Sequence, residues 1–483
     1  MKLTELFEGI AYEGVLPDAE ATLVTQDSRR AAPGAVFVCA KGRTTDGHRY
    51  AKAALDAGAA CIVTEHPLGL EREVTVDSGR KAYALLCHRF FGNPAEKLRL
   101  AAVTGTNGKT TVTTLIKQVL EQTGHKAGLI GTIHTEIDTM EVPAKYTTPE
   151  AWDLAALLAR MVMAGCDTAV MEASSQALDQ LRLWGLTFDV GVFTNLTQDH
   201  LDYHGTFEEY YQAKKSLFRQ VRTMIVNIDD SYGRRLVQEC AGGPEILTFS
   251  TQDDTADYTA HNVELDAAGV RFEMVGKGFI QRIRFPMPGT YSVHNALAAA
   301  AASIALGISS ADASRALAAT RGVRGRCEVL YSGDFTVLCD FAHTGDAIEK
   351  VLSGIAPFVK GKLIVLFGCA GERDAEKRPL MAAAVVKYAD FIVLTSDNPR
   401  KEDPYDIIKD VEPGLKASKK PYLVEVERRT ALRRALSRLR SGDVLVLCGK
   451  GHEDYQVIDG MTLYLDEHRI VNDWLREKGL ITE

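Results

Sequence analysis

The residues between Val103 and Thr111 have the types and spacing to hold a phosphate chain. Gly105 and Gly108 let backbone N–H groups close on phosphate oxygens, with Thr106 and Asn107 between them and Lys109, Thr110 and Thr111 directly after. Lys109 would reach the β- and γ-phosphates, and the Thr110 hydroxyl can ligate Mg2+. Two residues separate these glycines where the standard phosphate loop has four. An ATP site follows, with Mg2+ as its companion. Glu172 closes an apolar run, where its carboxylate could ligate Mg2+ beside the γ-phosphate, and His200 could do likewise, although imidazole is a less usual partner for a hard cation. Taken singly, each is a strand-end charge or a turn histidine; together with the glycine loop they read as one site. The pair Lys214 and Lys215, after Tyr210 and Tyr211, reads by itself as a solvated basic helix face.

The elements that must position these groups alternate. Residues 98–103 predict a strand, and Val112, Leu115, Ile116, Val119 and Leu120 predict a helix stopping at Gly124. Further β-like runs at 127–133, 168–171, 190–193 and 224–228, with a helix over 152–164, imply an α/β domain with a mostly parallel sheet. Polar clusters follow these strands: Tyr146 to Pro149, Glu172 to Gln176, and Thr194 to His204. Ligands of such sheets bind outside the carboxyl ends of the strands, so the clusters should share a rim with the phosphate loop.

A length of 483 residues predicts about three domains. The net charge of −8 argues against a general affinity for nucleic acid or an anionic membrane. Nine scattered cysteines without a CxxC pair read as small buried hydrophobes in a reducing compartment. The first residues are too few and too charged for a signal peptide, and no apolar run approaches the roughly 20 residues of a membrane span. A soluble cytoplasmic protein fits this composition; a monomer acting on small molecules is the expectation.

Residues 1–97 read as a small α/β domain, with strands at 36–38 and 60–64 and a helix over 50–57 ended by Gly58. Its loops carry Asp27, Ser28 and Arg29, then Pro33-Gly34, Lys41-Gly42 and Asp46-Gly47-His48. Such loops either hold a phosphorylated or sugar ligand or serve plain turn chemistry. A boundary falls near residue 97, after Asn93-Pro94-Ala95.

Thr104 to Thr111, Thr147-Thr148-Pro149, Met171 to Ser175, Asn195 to Gly205 and Tyr211 to Lys214 together resemble the Mur ligases, motif after motif over essentially the whole chain. The chain is most like the members that add the third residue of the peptidoglycan stem peptide to UDP-N-acetylmuramoyl-L-alanyl-D-glutamate. The resemblance implies that Ser28, Thr147, Thr148, Ser174, Gln180 and Arg182 contact this precursor, and that Lys214 is carbamylated. Carbamylation needs a neutral lysine amine, favoured by desolvation or nearby cations. Glu172, His200 and the Lys214 carbamate would organise a second Mg2+, with Thr110 near the first.

The resemblance also divides the chain at 98–324, the central ATP-binding domain, and 325–483, a Rossmann-like amino-acid-binding domain. Strand-like runs at 362–367, 391–395 and 444–447, separated by helical patterns at 378–388 and 429–439, fit the latter. Asn295, Arg326 and Asp340 match expected nucleotide contacts, and His343 would face the ATP with Asp340. The chain departs from the family's pattern at Tyr146, Ser292, Arg324 and Gly345. Asp397-Asn398-Pro399-Arg400 is the pattern of the diaminopimelate-adding members, and Arg373, Gly449 and Glu453 match the other expected contacts. The physical reason is direct. Meso-diaminopimelate carries one carboxylate more than lysine; an arginine fork binds a carboxylate bidentately and would be left unpaired by lysine. An unsatisfied buried partner costs about 1–3 kcal/mol, enough for roughly tenfold discrimination or more. Glu453 suits an ammonium.

The reaction implied is ATP-dependent amide formation through an acyl phosphate, gated by closure of the third domain. The nearest alternative is the same ligase taking L-lysine. A folylpolyglutamate synthetase shares the fold but lacks a UDP-binding first domain, which residues 1–97 argue against. A catalytically silent nucleotide-binding protein would have no use for Lys109, Glu172, His200, Lys214 and Arg400.

Overall fold

The structure, a computed structural model, describes residues 1–42, 45–266 and 269–482, with Asp202 described in its backbone alone; Glu483, the end of the third expected domain, lies outside the described residues. Short apolar runs build the first sheet from β1 (Glu13–Gly14), β2 (Leu23–Thr25), β3 (Ala35–Val38), β4 (Cys61–Thr64) and β5 (Glu73–Thr75), in the order β1-β5-β4-β3-β2. The strands β2 to β5 are parallel and β1 is an antiparallel edge. Every residue of β3 and β4 is buried, as a parallel sheet covered on both faces requires.

The second sheet holds β6 (Arg99–Thr104), β7 (Ala127–Ile130), β8 (His134–Ile137), β9 (Met140–Pro143), β10 (Thr168–Glu172), β11 (Phe188–Phe193), β12 (Val221–Asn227) and β13 (Glu245–Ser250). Their order is β13-β12-β11-β6-β10-β7-β8-β9. From β13 to β7 the pairing is parallel; β7, β8 and β9 form an antiparallel edge that apolar runs alone did not reveal. Helix Lys109–Gln122 leaves β6 and buries Val112, Leu115, Ile116, Val119 and Leu120, the stripe its spacing predicts. The strands on either side of β6 were laid down later in the chain, β10 on one flank and β11 on the other. Glu172 therefore registers with Val103, and Phe193 with Thr104. That is a switch point of strand order, where the carboxyl ends open a crevice. These two sheets belong to one compact unit, residues 1–249 with 301–308.

The other unit comprises residues 250–300 and 309–483. It contains an antiparallel meander, β14 (Tyr258–Asp266), β15 (Gly269–Gly276) and β16 (Phe279–Phe285), which sequence reading missed. Its strands are half exposed and carry charges on the outer positions, so no continuous apolar run marks them. The C-terminal sheet has β17 (Glu328–Ser332), β18 (Thr336–Asp340), β19 (Leu363–Cys369), β20 (Phe391–Ser396), β21 (Tyr422–Val424) and β22 (Val444–Cys448), ordered β17-β18-β22-β19-β20-β21. All pairs but β17–β18 are parallel. Helices Gly345–Ile355, Lys377–Tyr388 and Pro404–Ser418 pack one face, and Arg428–Leu436 and Glu467–Glu477 the other, which is the doubly wound arrangement. A hairpin of β23 (Tyr455–Ile458) and β24 (Met461–Tyr464) follows β22. The nine cysteines are free, and all but Cys240 are buried. Among the described residues, no helix is long and apolar enough to cross a membrane.

Candidate active site

The glycine loop is braced from behind. Gly105 has φ +149°, and a Cβ there would lie 1.9 Å from the Thr194 hydroxyl oxygen, so only glycine fits. The Thr106 N–H donates to the Asn195 carbonyl at 2.9 Å, and the Asn107 N–H donates to Asn195 Oδ1 at 3.0 Å. Thr194 returns a bond from its hydroxyl to the Asn107 carbonyl at 2.6 Å. The residues after β11 thus hold the loop in shape. Lys109 Nζ donates to the carbonyls of Gly105 and Thr106, both at 2.9 Å, folding the lysine over the loop. Thr111 is buried in the first turn of the helix.

Glu172 is buried at the end of β10, and both its oxygens lie 3.0 Å from the Thr110 hydroxyl. Thr132, which sequence reading overlooked, adds its backbone N–H at 2.7 Å and its hydroxyl at 3.1 Å. Thr110 and Glu172 are the oxygen donors a hard cation takes, so this pair fits Mg2+. His200 sits at φ +53° before the short helix Leu201–His204, with Nε2 3.5 Å from Asp199 and its ring 6.2 Å from Tyr210. Its described contacts do not bring it onto Glu172. Among the described residues, no group of three or more His, Cys, Asp or Glu side chains is arranged to hold a metal.

Lys214 corrects the reading of the lysine pair as a solvated face. Helix Phe207–Lys215 turns Lys214 inward, where it is 1% exposed and donates to the Gly105 carbonyl at 2.8 Å. Burial, then the charge of Lys109, push its pKa well below the usual lysine value, opposed by Asp199. Lys215 is half-buried and pairs with Glu239 at 2.8 Å.

Beside this loop lies a cleft of about 460 Å3 whose lining includes Thr147, Thr148, Ser174, Gln180 and Arg182. Thr148 donates to the Glu172 carbonyl at 2.7 Å, tying the cleft wall to β10. Arg182 donates to the Thr148 carbonyl at 2.8 Å and reaches Glu150 at 2.7 Å. Its guanidinium also lies 5.4 Å from the Tyr146 ring, so the tyrosine that departs from the family pattern forms part of the wall. Tyr203, within the polar cluster from Thr194 to His204 but not singled out there, accepts from Gln180 Nε2 at 3.1 Å. Ser28 opens the 3-10 turn Ser28–Arg30 behind Asp27 and is not part of that lining.

In the other unit, the loop after β20 carries Asp397, Asn398 and Pro399, all buried, and then half-buried Arg400. Arg400 has φ +58° and is pinned by β23: its N–H donates to the Val457 carbonyl at 2.9 Å, and its carbonyl accepts from the Asp459 N–H at 2.5 Å. Asn398 Nδ2 donates to Glu453 at 3.0 Å. Gly449, at φ +112°, would place a Cβ 3.5 Å from Asp397. Gly371 backs the loop, its N–H donating to the Asn398 carbonyl at 2.9 Å, while Arg373 is exposed. These groups, Arg373 apart, form one cluster. Lys450 completes it and was not singled out by sequence.

Asp340 is buried at the end of β18 and accepts the N–H groups of Cys327 and Ala342, each at 2.7 Å. Burial raises its pKa, against the charge of Arg326 and these two bonds. The Arg326 guanidinium lies 4.9 Å from the Phe341 ring. Asn295 is half-buried on helix Thr290–Ala305. Ser292, on the same helix, donates to the Pro288 carbonyl at 2.8 Å, and Arg324 lies 3.8 Å from Asp466. Gly345 starts helix Gly345–Ile355, capped by Thr344.

Three segments match Mur ligase descriptions: residues 20–88 the family's catalytic domain, 103–303 the middle domain and 325–451 the glutamate ligase domain. The UDP-N-acetylmuramoyl-L-alanyl-D-glutamate--2,6-diaminopimelate ligase 1 of Clostridium acetobutylicum is 41% identical, over 99% of this chain and 100% of its own. A solved structure of a ligase of the same name superposes with a TM-score of 0.75 at 30% identity, covering 99% of both chains. A MurF ligase of Thermotoga maritima, solved with ADP, shares the fold with a TM-score of 0.60 at 17% identity, over 95% of this chain and 98% of its own. Likeness of this extent, running from the first sheet through the last, means that the chain belongs to the Mur ligase family.

Proposed function

We propose that this protein is an ATP-dependent amide ligase joining meso-2,6-diaminopimelate to the D-glutamyl γ-carboxylate of UDP-N-acetylmuramoyl-L-alanyl-D-glutamate, in peptidoglycan precursor synthesis. The observation that carries the reading is the meeting of Thr110 with Glu172 beside Lys109, at the rim of the cleft lined by Thr147, Thr148, Ser174, Gln180 and Arg182. The names of the full-length relatives support the same pair of substrates. In this reading residues 1–97, with Ser28, hold the uridine diphosphate. Residues 98–324 hold ATP, and residues 325–483 hold the amino acid through Arg373, Asp397 to Arg400, Gly449 and Glu453. Asn295, Arg326 and Asp340 complete the nucleotide contacts. In this reading the enzyme works in the cytoplasm as a monomer.

The γ-carboxylate oxygen attacks the γ-phosphorus, the bond to the bridging oxygen breaks, and ADP leaves. Lys109 and the N–H groups that open helix Lys109–Gln122 offset the negative charge on the transferring group. Thr110 would lie by a first Mg2+, and Glu172, which meets Thr110, would organise a second with His200 and carbamylated Lys214; the ions would supply charge neutralisation at the phosphoryl oxygens. The diaminopimelate amine attacks the acyl carbon, the carbon–oxygen bond to phosphate breaks, and the nitrogen sheds one proton as the amide forms. Positioning does most of the work.

Phosphate release measured with ATP, Mg2+ and the precursor, comparing meso-diaminopimelate with L-lysine, tests this. A strong preference for diaminopimelate, lost in Arg400→Ala, is expected. A preference for lysine keeps the ligase and overturns the specificity; no release with either sinks the function.

A further inference from the structure

Lys450 is wholly buried, and its ammonium meets three side chains of the proposed amino-acid site. It lies 2.6 Å from Asn398 Oδ1, 3.1 Å from Glu453 Oε2 and 3.1 Å from Asp397 Oδ1. Each contact constrains a group that would face substrate. Asn398 Oδ1 also accepts the Val457 N–H at 2.9 Å, so two donors fix the oxygen end of the amide, and Nδ2 must turn to Glu453 Oε2 at 3.0 Å. Glu453 Oε2 is thereby taken twice. Its Oε1 is left toward Tyr455 OH, 3.5 Å away.

The charges add a second argument. Arg428, the other cation near Asp397, is matched by Glu467 at 2.8 Å and leaves no net charge. What remains in the cluster, exposed Arg373 apart, is two carboxylates, Asp397 and Glu453, and two cations, Lys450 and Arg400. A balanced set suits an equally balanced ligand: an amino-acid centre bearing one ammonium and one carboxylate. Without Lys450 the set carries one surplus negative charge, which suits a side chain ending in a lone ammonium.

We propose that Lys450 is a specificity-determining positioning residue, whose buried ammonium orients Asn398 and Glu453 and balances the site for a zwitterionic amino-acid end rather than a simple amine. The proposal rests on the reading of the loop from Asp397 to Arg400 as the amino-acid site. A leaving group or proton transfer is not involved; the lysine acts through the three side chains it holds.

The test is steady-state kinetics of Lys450→Met with both meso-diaminopimelate and L-lysine, alongside the wild-type enzyme. The KM for diaminopimelate should rise by about tenfold or more, as expected for loss of hydrogen bonds to charged groups. The KM values for ATP and for the precursor should stay unchanged, and the ratio of kcat/KM for diaminopimelate over lysine should fall by about fivefold or more. If Lys450→Met does not fold, Lys450→Gln, which keeps a donor for Asn398 but no charge, should show the same fall in ratio. Equal losses with both amino acids, or an unchanged KM, overturn the role of Lys450 while leaving the ligase reading intact. A wild-type enzyme that releases no phosphate with precursor and diaminopimelate overturns both.

Discussion

Lys214 and Lys109 donate to the same oxygen, the Gly105 carbonyl, at 2.8 and 2.9 Å. Two amino groups on one buried oxygen repel each other when both are charged, and Lys214 is the one sealed from water. Burial and its neighbour's charge both favour the neutral amine, the form that adds CO2.

Protein prepared in carbon-13 bicarbonate should therefore show one carbamate resonance, absent from Lys214→Arg. That variant should lose about a hundredfold in kcat, the scale of removing one group that stabilises transition-state charge. Its ADP affinity should change little. Full turnover without a labelled lysine would exclude the carbamate.

Glu172 accepts from Thr110 and twice from Thr132, so its carboxylate is held before any ligand arrives. Glu172→Gln keeps the shape and one acceptor but loses the charge. We expect kcat to fall by about a hundredfold and the Mg2+ concentration for half-maximal rate to rise. A titration against Mg2+ decides it: an unchanged Mg2+ requirement removes Glu172 from the metal site.

The strand, glycine loop and helix were legible because their signals are local: glycines, lysine and threonine lie within one turn, between an apolar strand and an amphipathic helix. Glu172 was legible as a polar residue at a strand end. Lys214 was not, since a lysine pair on a helix gives no sign of which member faces in; only the packing of Tyr210 and Tyr211 decides it. Thr132 and Lys450 escaped for a related reason. Their partners lie 40 and 52 residues away, and the contacts exist only once parallel strands are in register. The meander from Tyr258 to Phe285 escaped because its outer positions are charged, which blurs the alternation that marks a strand.

Arg428 and Glu467 form an ion pair with both side chains fully buried, 2.8 Å apart. Arg428 also donates to the Ser396 carbonyl at 3.2 Å and the Cys448 carbonyl at 2.9 Å, the last residues of β20 and β22. The strand ends that carry Asp397 and Gly449 are thus tied together from below. Glu467→Gln leaves a buried guanidinium without its counter-charge and should cost about 3–5 kcal/mol of stability. Urea unfolding measures that loss, and an effect within experimental error would show that the pair is dispensable.

His88 supplies a pH dependence remote from any ligand. It lies on helix Gly79–Phe90, is 6% exposed, and neither ring nitrogen has a hydrogen-bond partner among the described residues. Burial lowers its pKa from 6.5 to about 4. Between those values the unfolded chain binds a proton that the folded chain refuses, so stability rises with pH across the window. The contribution is fully present above the unfolded pKa of 6.5 and is lost as pH falls through about 4. The full swing is about 3 kcal/mol, from roughly 1.4 kcal/mol per pKa unit. His88→Leu has no proton to bind and removes two unsatisfied nitrogens. It should be at least as stable as the parent at neutral pH and gain on it steadily on acidification. Urea unfolding of both proteins at neutral pH and near pH 4.5 reads the difference; a gap that does not widen at the lower pH means that His88 is protonated in the folded state or is reached by water.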